Sequence, residues 1–181
     1  MTKPKKERTP TYQAIKEVDE TTGECSHAYA MMQDLIAKFH PHLAEASIAL
    51  VYKLKSAPDP DGHETLGCCR KCSERDNELH GYDFVIELNA QMWNNPEFGE
   101  ARQRALLDHE LCHAEVALDE HGEEKTDARG HTVWRTRKHT IEEFREIVER
   151  HGLYKADLEE FAKVLVAKEK TPVAAAPDAE S

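Results

Sequence analysis

No run of apolar residues in this sequence approaches the roughly 18 that a membrane-spanning helix requires. The opening segment, MTKPKKERTP, is basic yet has no apolar stretch that could act as a secretory leader. A set of cysteines fit for pairing is missing too. The five present (Cys25, Cys68, Cys69, Cys72 and Cys112) are odd in number, and three of them crowd into 68–72. That pattern opposes a disulfide framework and suits a reducing compartment, so the expectation is a cytoplasmic protein without membrane contact. Positive charge is also in short supply. With 24 Lys and Arg against 35 Asp and Glu, the formal net charge is -11, and its average field repels a phosphate surface. Two local basic stretches, 3–8 and 135–138, read first as solvated surface and only second as phosphate contacts. No internal repeat is present.

What is there suits one domain of modest core, 39% hydrophobic and 33% charged over 181 residues. Residues 1–11 have little to bury and are expected to be disordered, as is the tail TPVAAAPDAES, residues 171–181. The domain is placed at 12–170. Within it, Ala28, Met31, Met32, Leu35, Ile36 and Phe39 recur at helical spacing, and His40-Pro41-His42 stops that helix. ASIALVYKLK (46–55) reads as a strand, APDPDGH (57–63) as a loop, 64–72 as a second strand and YDFVIELN (82–89) as a third. A long helix is predicted over 98–118, followed by a hairpin or loop over EHGEEKTDARG and a strand over HTVWRTRKH, 131–139. A helix over 140–151 takes Thr140 as its N-cap, with Glu143 at the capping-box position, and a last helix spans 155–168. The order of elements predicts an α+β fold.

The chemistry concentrates in LLDHELCHAEV, residues 106–116. At about 100° per residue, His109 and His113 share one helical face about 40° apart, and Glu110 projects beside them. Short motifs arise by chance in a chain with 11 histidines, so context has to decide. The predicted helix is apolar nearly all round, which implies burial. Two imidazoles and a carboxylate there are costly unless a group satisfies them. A zinc ion does so, and Glu110 could take a proton from the water such an ion activates. The bland alternative is a pair of core histidines bonded to backbone beside a salt-bridged glutamate.

Catalytic zinc sites generally use three protein ligands and leave one position for water. Downstream candidates for the third are His121, His131, His139 and His151. Rigidity ranks His139 first, at the junction between the predicted strand and the Thr140 cap, and His131 second, after Gly130 at a loop end. An even offset puts both on one face of the predicted strand, so periodicity does not separate them.

The blocks YDFVIELNAQMW (82–93), RALLDHELCHAEV (104–116) and VWRTRKHTIEEFREIVERHGLY (133–154) resemble, in order, the putative phage metallopeptidase family, which is related to SprT-like zinc metallopeptidases. The resemblance covers roughly 45–154. It implies a minimal zincin-like domain, with a small mixed sheet packed on the HExxH helix and the third histidine at the start of the following helix. His109, Glu110 and His113 match the motif, and His139 matches the histidine of the last block. Thr140 departs from the acidic residue expected there. The resemblance further implies a Zn2+ cofactor, a protein or peptide substrate and, for a phage-encoded chain, the host cytoplasm.

The reading is therefore a zinc metallopeptidase in which Glu110 is the general base and His109, His113 and His139 hold the metal. An exposed sheet edge, expected at 64–72, would take an extended peptide by strand addition. The competing class is a noncatalytic zinc-stabilised binding or regulatory protein, DNA-associated in one version. SprT-like relatives act on DNA-bound proteins, and Arg135, Arg137 and Lys138 lie beside His139. The net charge and the lack of a DNA-binding module oppose that version. Cys69 and Cys72 have CxxC spacing and could hold a second zinc with His63 and His80, but small side chains packed beneath a helix explain them as well. Cys112 reads as a small buried apolar residue. Tyr82 and Tyr154 could polarise a substrate carbonyl, or be ordinary core tyrosines.

Overall fold

The computed structural model describes residues 10–60, 62–141 and 145–169, so the disordered ends expected at 1–11 and 171–181 lie almost wholly outside the described residues. The chain divides into two compact units, one ending at Arg137 and the other beginning at Lys138.

The first unit is built on a sheet of β1 (Tyr12–Ala14), β2 (Ile48–Lys53), β3 (Gly67–Lys71) and β4 (Phe84–Asn89). Its strand order is β1-β2-β4-β3, with β2 and β4 parallel and the other two pairs antiparallel. Chemistry accounts for the order. IALVYK and FVIELN are near-continuous apolar runs that tolerate burial on both faces and take the centre, while YQA and GCCRK take the edges. The expected edge at 64–72 is thus found in β3. The register sets Ile48, Leu50 and Tyr52 beside Phe84, Ile86 and Leu88 on one face, with Cys69 opposite Ile86.

Two helices complete this core. From α1 (His27–Phe39) come Ala28, Met31, Met32 and Leu35, and from α4 (Gly99–Leu111) come Leu107 and Leu111. Asp34 of α1 accepts from Lys38 at 2.7 Å and also from Arg104 of α4, which clamps the two helices. Phe39, expected in the core, is 61% exposed because α1 ends there and the chain turns into a 3-10 helix at Pro41–Leu43. Two helices went unanticipated. In α2 (Glu74–His80) no residue is buried, so no apolar period announces it; Ser73 accepts from Asp76 N–H at 3.2 Å and Gly81, at φ 74°, closes it. The single-turn α3 (Ala90–Trp93) is capped by Asn89.

The helix predicted to Leu118 stops at Leu111. After a turn at Cys112 and His113, β5 (Ala114–Val116) pairs antiparallel with β6 (Trp134–Thr136). Ala114 and Val116 are buried and Glu115 is not, which is an alternation of period two that also fits a helical reading over so short a stretch. Pairing with β6 decides it, because Trp134 is itself buried edge-on against Phe84 at 5.8 Å. The strand expected over 131–139 is accordingly shortened to three residues. The second unit holds α5 (Arg145–His151) and α6 (Ala156–Glu169). The expected cap at Glu143 lies outside the described residues. Among those described, no helix is long and apolar enough to cross a membrane.

Ile86 sits on the central strand with no exposure. Ile86→Ala is expected to lower unfolding stability by about 2–5 kcal/mol, measured by urea denaturation, and Ile86→Val by about 0.5–1.5 kcal/mol.

Candidate metal centre

The last turn of α4 and the turn that follows carry His109, Glu110, Cys112 and His113. The helix buries one face, formed by Leu107, Glu110 and Leu111, while His109 and Cys112 are exposed and His113 is half-buried. This corrects the expectation of a helix buried nearly all round and of Cys112 as a buried apolar residue. The cost of burying an imidazole therefore says nothing about His109; geometry has to carry the case.

The two rings lie 5.1 Å apart between centroids, at 81° to one another. His113 Nδ1 is 2.7 Å from the Arg137 carbonyl oxygen. A carbonyl only accepts, so Nδ1 carries the proton and Nε2 is the unprotonated nitrogen of the neutral ring, the form a metal needs. Arg137 N–H donates back to His113 O at 2.8 Å, which extends the β5–β6 ladder by one pair. Ring orientation and tautomer are thus both set by main chain.

Glu110 is 3% exposed and lies against β3. A Cβ built on Gly67 would stand 2.6 Å from Glu110 Oε1 and 3.0 Å from Cδ, so only glycine leaves the carboxylate its place. Cys69 N–H donates to that carboxylate. The strand pattern explains why. Asn89 N–H bonds Leu66 O and Cys72 N–H bonds Asp83 O, both at 2.8 Å, so the alternate residues Gly67, Cys69 and Lys71 turn their main-chain groups to the outer edge. Burial pushes the Glu110 carboxyl above the ordinary range, and His113 and the Cys69 N–H offset this only in part. Beside it, His109 and Glu110 open on a cleft of about 490 Å³ walled by Leu66, Phe98, Ala105 and Leu106.

Two of the candidates for the third ligand fall elsewhere. Within the first unit, neither His121 nor His131 joins His109 and His113 within ligand reach. Each is held in a local turn, with its N–H bonded to Asp119 or Asp127 at 2.8 and 2.9 Å. His131 and His139 do not share a strand, since β6 covers neither. His139 and His151 belong to the second unit, as does Tyr154. Tyr82 precedes the end of β4 that pairs with Lys71, four residues and about 14 Å of strand from Gly67, so it has no part at Glu110. Cys69 packs against the core, its thiol pushed up to about 12 chiefly by burial. Among the described residues, Cys69 and Cys72 form no metal-ligating group with His63 and His80. Glu115 pairs with Arg135, and Arg137 lies 4.0 Å from it, so this basic stretch is engaged within the protein. Gly67 and the Arg137 main chain are the contributors that spacing missed, although a glycine inside a strand does signal a close approach.

The chain belongs to the putative phage metallopeptidase family, whose pattern matches residues 22–167. No curated protein and no solved structure matches it.

Gly67→Ala is expected to destabilise the fold by about 1–3 kcal/mol in chemical denaturation. Most of that loss should vanish in a Glu110→Ala background, where the added methyl meets no carboxylate; an undiminished loss would show that the two residues do not press on one another.

Proposed function

We propose that the protein is a zinc-dependent peptidase whose residues 12–170 make a minimal zincin-like domain. In this reading His109, His113 and His139 hold the metal and Glu110 is the general base. The observation that carries it is the buried Glu110 carboxylate held at the β3 edge beside an imidazole whose Nδ1 is already committed.

The donor set fits zinc. Neutral imidazole nitrogens at the end of one helix suit a borderline cation, and three such ligands leave a position for water. His139 is supported as the third by chain continuity. Arg137 is bonded twice to His113, and at 3.8 Å per residue the His139 Cα stays within about 7.6 Å of that anchor. The resemblance to the family's last block points the same way.

When bound, zinc would supply Lewis acidity that polarises the scissile carbonyl and acidifies a water. Glu110 accepts a proton from the attacking water as its oxygen bonds to the carbonyl carbon, then passes it to the amine nitrogen as the C–N bond breaks. A carboxyl raised by burial suits both halves of that exchange. The outward main-chain groups of Gly67 and Lys71 would pair with an extended peptide, and the apolar cleft would take one of its side chains.

Glu110→Gln should keep zinc at the histidine centre yet lower peptide cleavage by at least about 100-fold. A variant that retains the full biological effect would leave a noncatalytic, zinc-stabilised binding protein as the reading. His113→Ala should lose the metal of the histidine centre. Measured against a competing chelator, His139→Ala should weaken zinc binding by orders of magnitude while His131→Ala leaves it unchanged; the opposite pair of results refutes the ligand assignment.

A further inference from the structure

We infer that His40, Asp108 and Cys112 form a second metal site, separate from the His109–His113 pair, that takes a zinc-like divalent cation through a thiolate. One donor atom from each of the three lies within 4.8 Å of the others. The final turn of α4 and the turn that follows it project two i, i+4 pairs, not one. His109 and His113 face one way, and Asp108 and Cys112 are displaced from them by about 100° around the axis. The second pair meets His40, the residue that caps the C-terminus of α1. His40 is 6% exposed and its Nε2 is 2.6 Å from Asp108 Oδ1, so two of the three groups are already held together from positions far apart in the chain. Access exists as well. A cavity of about 390 Å³, lined by His40, His42 and Cys112, leads to these donors.

An imidazole, a carboxylate and a thiolate select zinc, cobalt or cadmium over calcium or magnesium. The protons balance simply. Cys112 releases its thiol proton to solvent as sulfur binds the cation, while His40 gives up to solvent the Nε2 proton it donates to Asp108 and takes one at Nδ1, so the ring binds through Nε2 and stays neutral. Three protein groups leave a fourth position that water from the cavity fills. A cation held there clips the end of α1 to the end of α4, so its binding raises the temperature of unfolding.

Cobalt(II) reports the thiolate directly, because sulfur-to-cobalt charge transfer absorbs in the near ultraviolet and histidine ligation does not. Metal-free full-length protein titrated with cobalt should show that band. Cys68→Ser, Cys72→Ser and His113→Ala should keep it, Cys112→Ser should abolish it, and His40→Ala should weaken the affinity at least tenfold. Cys112 is exposed, so its serine variant folds and decides the matter even where His40→Ala does not. Absence of the band in the wild type, or its survival in Cys112→Ser, overturns the site. Its loss in His113→Ala also does so, by making Cys112 part of the other centre. The peptidase reading fails on different grounds, since the His113→Ala variant removes that centre and leaves the thiolate.

Discussion

Two hydrogen bonds between His113 and Arg137, one through the imidazole and one through the main chain, tie the end of α4 to the β5–β6 hairpin. Each contributes about 1 kcal/mol to stability, a small share of any fold. Their larger consequence is geometric. They fix which nitrogen of His113 is protonated, hold the ring against rotation, and bring the chain back to the helix end two residues before His139. A helix that continued to Leu118 would carry Ala114 and Val116 past Trp134 and leave β6 without its partner. Stopping α4 at Leu111 thus makes the hairpin and the anchored imidazole a single event.

Glu110 meets the opposite constraint. A carboxylate taken out of water is costly unless it is bonded, and this one receives a Cys69 N–H. The compensation is incomplete, which is why its carboxyl stays raised. A core built for stability alone would place an apolar side chain there. Here a glycine in a strand and a buried acid in a helix break two local rules against each other.

Much of the architecture was legible because burial writes a period. The α1 face of Ala28, Met31, Met32 and Leu35 and the apolar runs of β2 and β4 were all readable, as was β3 at the edge. The misses have physical reasons. In α2 no residue is buried, so capping by Ser73 and Gly81 specifies it and no stripe appears. Ala114 to Val116 is too short to tell a period of two from 3.6, and a tertiary partner chose. At the candidate centre, the spacing of His109, Glu110 and His113 was visible, but the burial invoked for the imidazoles belongs to Glu110 instead. Gly67 and Arg137 act through a missing side chain and through main chain, which residue identity scarcely records. His40 and Asp108 are 68 positions apart, a pairing that only the fold reveals.

Anomalous diffraction from crystals of the zinc-loaded protein would locate the ion relative to His113 and Glu110. A peak is expected at about 2.0–2.1 Å from Nε2 of His113 and from imidazole nitrogens of His109 and His139, with the Glu110 carboxylate outside bonding distance of the ion. A map with no zinc on His113, or with Glu110 bound as a ligand in place of a third histidine, would contradict this ligand assignment.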